Sequence, residues 1–419
     1  MKAYIKRKRY LQKLVDRQDN GEVKIITGTR RCGKSWLLKK IYHAYLVEQG
    51  VPEDHIIEVS FDIDETTDGK ELTDPVVLKQ FLYERITDNG SYYVFLDEIQ
   101  MVEGFERIVN GLNAQDNVDV YITGSNSRFL SSDINTIFRG RGDEVRVYPL
   151  SFSEFCSDRQ ESVSELWKEY YTYGGMPALR NHRSEEQKVT YLQRLWQKTY
   201  IDDVVERNGI KNRQALEALV DSLCSSIGSL TNPLKMSNTL QSVQRISITA
   251  PTVTNYMQFL EDSFLFEGAR RYNVKGKKYY ESIKKYYVCD VGLRNARLNF
   301  RQQELTHIME NIIYNELRIR GYVVDVGVIE QRKMIDGVSN YQLLEIDFVA
   351  TNGQDKFYIQ SAYAIPNEEK REQEIASLKK IDDSFRKIII VGDDIASYTD
   401  DNGFVYMSLF DFLLKTEII

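Results

Sequence analysis

Lys34 and Ser35 close the stretch Gly28-Thr29-Arg30-Arg31-Cys32-Gly33-Lys34-Ser35, in which two glycines flank four residues and a lysine and a hydroxyl follow the second glycine. The apolar run Val23-Lys24-Ile25-Ile26-Thr27 precedes it, and Trp36-Leu37-Leu38-Lys39-Lys40-Ile41-Tyr42 follows at helical spacing. A strand, a glycine loop and a helix in that order form a phosphate cradle. Gly28 and Gly33 permit backbone conformations that a side chain blocks. The loop N–H groups and the helix N-terminus then face phosphate oxygens. Lys34 would reach the β- and γ-phosphates, and Ser35 would place its hydroxyl on Mg²⁺. The candidate nucleotide contacts are therefore Gly28, Thr29, Arg30, Arg31, Cys32, Gly33, Lys34, Ser35 and Trp36. Arg30 and Arg31 either touch phosphate or hold the loop through acidic neighbours.

A second set of acids stands at the end of Tyr92-Tyr93-Val94-Phe95-Leu96, where Asp97-Glu98 follows. Asp97 is placed to hold the metal with Ser35, and Glu98 to polarise an attacking water as a general base. Ser125 and Asn126 follow the next apolar run, Val118–Thr123. A polar side chain there would orient that water or meet the γ-phosphate; the other reading is an ordinary turn. Arg139 and Arg141 flank Gly140. One of them would stabilise transition-state charge in the site of a neighbouring subunit, in which case the chain would act as a homo-oligomer. Otherwise both are solvated loop cations.

The elements that must position these groups alternate. Apolar runs at 23–27, 55–61, 92–96, 118–123 and 145–148 read as strands, and 75–87 as a helix with Val77, Leu78, Phe81, Leu82 and Ile86 on one side. Such alternation predicts an α/β fold, a parallel sheet covered on both faces. Around Pro149 the pattern changes. Residues 152–205 read as helical, interrupted at Gly174-Gly175-Met176-Pro177. Residues 212–292 read as a winged helix: three helices, with Phe264-Leu265-Phe266 and Lys285-Tyr286-Tyr287-Val288 as wing strands. The loop between those strands would carry Arg270, Arg271, Lys275, Lys277 and Lys278. From about 304 a helix and further strands make a second α/β unit. The expected domains are 1–150 (nucleotide-binding), 151–210 (helical connector), 211–300 (winged-helix-like) and 301–419 (C-terminal α/β).

The chain has 419 residues and a net charge of −7, which argues against a uniformly basic nucleic-acid coat. Four scattered cysteines contain no C-x-x-C pair, so neither a zinc site nor a disulfide framework is expected. The basic start, Lys6-Arg7-Lys8-Arg9, has no apolar segment behind it and reads as a solvated helix face leading into Leu11 and Leu14. No run approaches the ~18 apolar residues of a membrane helix. A cytoplasmic protein with no membrane partner is expected.

Taken as a set, these residues carry a family resemblance. Tyr10, the phosphate loop, Phe95-Leu96-Asp97-Glu98-Ile99-Gln100, Ile122-Thr123-Gly124-Ser125-Asn126-Ser127, Arg139-Gly140-Arg141 and Tyr148–Phe155 are similar to prokaryotic AAA+-like ATPases joined to a nuclease-like C-terminal domain. Tyr173–Pro177, Lys285–Arg294 and Glu310-Asn311 extend the match over nearly the whole chain. The resemblance implies an ATPase core with Walker A and Walker B motifs, ATP as the nucleotide, a winged-helix segment and a PD-(D/E)xK-like end.

The last part departs from that pattern. Glu310 and Asp347 fit its first acids, but the next strand reads Tyr358-Ile359-Gln360-Ser361-Ala362, with Gln360 and Ala362 where an acid and a lysine belong. Gln is a poor ligand for a hard cation, so this domain is expected not to cut nucleic acid and to persist for binding or packing. DNA binding would rest on the third helix of the winged-helix segment and on the basic loop, with Tyr272, Tyr279 and Tyr280 stacking bases; the same module also serves protein partners. The leading reading is a Mg²⁺-dependent ATPase that couples nucleotide state to rearrangement of C-terminal binding domains. The alternatives are an ATP-gated switch, a DNA-binding protein with incidental hydrolysis, or an ATP-dependent nuclease.

Overall fold

Strand β1 (Val23–Thr27) is buried throughout and lies in a sheet with β2 (Ile56–Ser60), β3 (Tyr92–Asp97), β4 (Val118–Thr123) and β5 (Gly142–Arg146). The order is β2-β3-β4-β1-β5 and every neighbouring pair is parallel. Near-continuous apolar strands suit a sheet covered on both faces. Successive residues alternate between two cores. Ile25, Val94, Leu96, Val120 and Ile122 pack with Ile108, Val109 and Leu112 of helix Phe105–Asn113. Ile26, Phe95 and Tyr121 pack with Leu37, Leu38 and Ile41 behind the phosphate loop. The lysine inside β1 is compatible with burial because Lys24 forms an ion pair with Asp119, whose other oxygen accepts from the Tyr121 hydroxyl at 2.7 Å.

The structure, a computed structural model, describes residues 5–62, 66–67, 70–124, 138, 140–335 and 338–415. Ser125, Asn126 and Arg139 lie outside the described residues. The chain divides into two compact units, Met1–Pro149 with Asp262–Phe264, and Leu150–Glu261 with Leu265–Ile419. No helix among the described residues is long and apolar enough to cross a membrane.

Two sequence expectations for the first unit change. β5 runs from Gly142 to Arg146 rather than over 145–148, because the Tyr148 N–H leaves the ladder to donate to the Tyr10 hydroxyl at 3.1 Å. Arg7 is no solvated cation. It is 4 % exposed, and its guanidinium donates to the carbonyls of Cys32 at 2.9 Å and Tyr148 at 2.8 Å.

In the second unit, β6 (Leu230–Thr231), β7 (Phe266–Asn273) and β8 (Lys278–Val288) belong to a nine-stranded mixed sheet with β9 (Val323–Ile335), β10 (Val338–Asn352), β11 (Asp355–Ala362), β12 (Arg386–Val391), β13 (Tyr398–Thr399) and β14 (Val405–Ser408). β8 pairs antiparallel with both β6 and β7, and β7 continues into the C-terminal strands through parallel pairing with β9. The hairpin read as a wing is thus part of the same sheet as the C-terminal strands. Its strands are longer than the sequence suggested: Arg270 and Arg271 sit on β7, not in a loop. They are also engaged, Arg270 over the Tyr279 ring at 4.1 Å and Arg271 over Tyr280 at 5.1 Å.

The Gly174-Gly175 turn is held by Asp290. Its carboxylate accepts from the N–H of Gly175 at 2.7 Å and of Leu293 at 3.0 Å, and a Cβ at Gly174 would stand 2.1 Å from it. Burial pushes this carboxyl up to about 6, against the three backbone N–H groups that favour its charge.

Candidate functional site

The phosphate loop leaves β1 at Thr27 and enters the helix at Lys34. Gly28 has φ 133°, and a Cβ there would lie 2.0 Å from the Val147 carbonyl oxygen, so only glycine lets the loop lie against the end of β5. Gly33 has φ 102° immediately before the helix. Cys32 is fully buried, its thiol donates to the Val147 carbonyl at 3.3 Å, and burial raises its pKa against the lowering influence of Lys34 and Arg7. It is a packing residue of the loop. Arg7 ties the same residue's carbonyl to Tyr148 from behind.

Lys34 is 4 % exposed, and its ammonium donates to the carbonyls of Gly28 at 2.9 Å and Thr29 at 3.3 Å. It is folded back across its own loop. Thr29 is buried, its hydroxyl 3.5 Å from the carbonyl of Phe264, which also lies beneath the Arg146 guanidinium at 4.6 Å. Trp36 is half exposed just beyond the loop, Arg30 is part-buried and Arg31 exposed with φ 64°.

Ser35 and Asp97, the two residues expected from the sequence to hold a metal, are in contact. The Ser35 hydroxyl donates to Asp97 Oδ1 at 3.0 Å across 62 residues. Two residues missed in the sequence complete this corner. Thr123, at the end of the intervening strand β4, donates to the same Asp97 oxygen at 2.5 Å and accepts from the Glu98 N–H at 2.9 Å. Lys39, one turn into the helix, lies 3.3 Å from Asp97 Oδ2. Thr123 was legible as the last residue of an apolar strand; Lys39 had no signal beyond its helix. Glu98 takes φ 57°, and its carboxylate accepts from the Gln100 amide. The hydroxyl of Ser35 and the carboxylate of Asp97 are hard oxygen donors, the set that suits Mg²⁺.

Arg141 is not brought to the loop of its own chain. Its carbonyl accepts from the Val23 N–H at 2.8 Å, at the start of β1, whereas the phosphate loop follows the other end. Four residue steps at ~3.3 Å separate the two ends.

In the second unit, Glu310 and Asp347 do come together, around a lysine the sequence did not offer. Lys285 of β8 lies 3.0 Å from Glu310, 2.8 Å from Glu345 and 3.7 Å from Asp347. Burial and the Glu310 charge push Asp347 up to about 7, although Lys285 and the Ser361 N–H oppose them. Ala362 is buried, and the Gln360 amide nitrogen lies 3.4 Å from Glu374.

Comparison with known proteins agrees with the first unit. Residues 20–156 match the AAA domain family, and residues 164–304 match a domain of unknown function. An uncharacterized protein of Haemophilus influenzae is 34 % identical over 420 residues, 99 % of this chain and all of that one. Another, from Methanocaldococcus jannaschii, is 29 % identical over 89 % of this chain and 83 % of its own length. Among solved structures, a Walker-type ATPase of Pyrococcus abyssi superposes with TM-score 0.50 at 16 % identity, over 70 % of this chain and 96 % of that one, a likeness of fold. With its glycine loop, Ser35–Asp97 pair and parallel sheet, residues 20–156 form an AAA-type P-loop domain, and the chain as a whole belongs to the same family as the uncharacterized Haemophilus influenzae protein.

Proposed function

We propose that this protein binds ATP with Mg²⁺ at the loop of residues 28–35 and hydrolyses it, and that nucleotide state governs a DNA-contacting surface in the second unit. The observation that carries the reading is the Ser35–Asp97 hydrogen bond, with Glu98 next in sequence and oriented through Thr123. When bound, Mg²⁺ would supply charge neutralisation at the β- and γ-phosphates. Lys34 would exchange the Gly28 and Thr29 carbonyls for phosphate oxygens. Lys39 neutralises Asp97 without a metal and would give up that contact to one. Glu98 would accept a proton from the attacking water, and Gln100 would have to release it first. An arginine from a second copy, Arg139 or Arg141, would complete the charge stabilisation in an oligomer.

The DNA reading draws on helices Pro233–Gln244 and Ala250–Asp262, which follow Arg213–Ser225 and precede the β7–β8 hairpin in the order of a winged helix. No Asp or Glu occurs between Asp221 and Glu261, in a chain with 62 acids. The outward residues of this stretch include Lys235, Asn238, Gln241, Arg245, Asn255 and Gln258, all exposed. Amide side chains can pair with base edges, and the missing acids remove repulsion from phosphate.

The test is a titration of the full chain with Mg-ATP, following Trp36 emission, with Trp36→Phe identifying its share of the signal. Micromolar binding that Lys34→Ala abolishes supports the reading. Binding unaffected by Lys34→Ala would remove the phosphate-loop assignment.

A further inference from the structure

Lys285 is 5 % exposed inside the second unit, and its ammonium is surrounded by three carboxylates. Glu310 comes from helix Leu305–Ile319, and Glu345 and Asp347 from β10. An ammonium has three N–H donors and no acceptor; Glu310 and Glu345 stand within hydrogen-bond distance of it, and Asp347 farther off as an ion-pair partner. The rest of the shell is satisfied independently. The Tyr287 hydroxyl, two residues along β8, donates to Glu310 at 2.7 Å, and the Ser361 N–H donates to Asp347 at 2.8 Å. Gly228 has φ +69°, and a Cβ there would press to 3.2 Å on the Glu310 carboxyl group, so the pocket is closed on that side.

A divalent cation held by carboxylates has its oxygens at about 2.0–2.6 Å. Here the oxygens stand 2.8–3.7 Å from a nitrogen. Among the described residues no group of three or more His, Cys, Asp or Glu is spaced to hold a metal. Two buried acids and a third that is 35 % exposed would repel one another without a cation, and the cation present is the chain's own.

We propose that Lys285 is a built-in cation: its ammonium occupies the place of a divalent metal among Glu310, Glu345 and Asp347, and keeps the wild-type centre closed to metal. Once Lys285 is neutralised, the same acids are free to draw together around a divalent cation, which they are not spaced to do in this structure. The second unit then uses these acids to fix helix Leu305–Ile319 and β10 to β8, and metal-dependent cleavage of phosphodiesters is not their role. This is independent of what the phosphate loop does.

The experiment uses the full chain without nucleotide, with Tb³⁺ luminescence sensitised by Tyr287 and thermal melting with and without Mn²⁺. Wild type is expected to show the same emission and the same Mn²⁺ response as Asp347→Asn. Lys285→Met is expected to gain Tb³⁺ emission and a Mn²⁺-dependent rise in melting temperature, both lost in Lys285→Met/Asp347→Asn. Should Lys285→Met fail to fold, Lys285→Met/Glu345→Gln carries less buried charge and is expected to show the same gain. Emission in wild type that disappears in Asp347→Asn would overturn the proposal. So would a folded lysine variant that gains no metal response.

Discussion

The hydroxyl of Thr123 joins the two acids of the first unit: it donates to Asp97 Oδ1 at 2.5 Å and receives the Glu98 N–H at 2.9 Å. β4 lies between β3 and β1 in the sheet, so one side chain at its end fixes both the proposed metal ligand and the proposed base. A hydrogen bond to a charged group contributes about 1.5–3 kcal/mol. Thr123→Val should therefore lower ATP turnover about 10–100-fold, with nucleotide affinity changed much less. Thr123→Ser should restore most of the loss. Steady-state kinetics on the three proteins check this.

Arg7 fixes the back of the phosphate loop. Its guanidinium satisfies the carbonyls of Cys32 and Tyr148, both buried residues. Arg7→Ala leaves these acceptors without their donor and should destabilise the first unit by about 2–4 kcal/mol. Melting followed with and without ATP should show a lower transition and weaker stabilisation by nucleotide. An unchanged melting curve would mean that the loop is held by other contacts.

Asp290 makes the second unit sensitive to acid in the unusual direction. Its carboxyl is raised to about 6 in the fold from an ordinary value near 3.8. Between those values the folded state holds a proton that the unfolded chain has lost. This group's contribution is therefore most favourable below about 3.8, declines as pH rises through about 6, and is flat above. Asp347, raised to about 7, acts in the same sense over a slightly wider range. Asp290→Asn should flatten part of this slope in melting temperatures measured from pH 4 to 8. It should also lower stability at every pH, because one of its backbone donors then faces an amide N–H.

The exposed amides of helix Ala250–Asp262 give a test of the DNA surface. Asn255→Asp and Gln258→Glu introduce negative charge into a stretch that has no acid between Asp221 and Glu261 and should weaken duplex binding at least tenfold, with little effect on melting. With only Lys235 and Arg245 as cations in the stretch, the logarithmic salt dependence should be shallow, about −2. Fluorescence anisotropy at several salt concentrations measures both. Equal affinity in the acidic variants would move the surface elsewhere or remove it.

The candidate nucleotide site was readable because its signals are local. A glycine loop between a strand and a helix, and two acids at the end of a buried strand, are each continuous in sequence. What escaped was long-range. Arg7 looked like one of several surface cations, and only folding shows it beneath Cys32. Lys285 read as a wing-strand residue because its partners are 25 or more residues away, on a helix and on β10. The absence of a lysine at 362 was correctly noted, but one reached the acids from β8. Of the two strands expected after residue 263, Lys285–Val288 lies inside β8, whereas Phe264 and Leu265 precede β7, which starts at Phe266 and runs to Asn273 through Arg and Tyr residues that pack against the next strand.

The central claim is hydrolysis at the phosphate loop with Glu98 as base, and Glu98→Gln tests it most directly. The amide keeps the size of the side chain but cannot take a proton from water. Phosphate release and ATP binding should be measured on the same preparations. The account predicts turnover reduced at least a hundredfold with ATP affinity within a few-fold of wild type. Undiminished phosphate release from Glu98→Gln, in a preparation where Lys34→Ala is inactive, would contradict it.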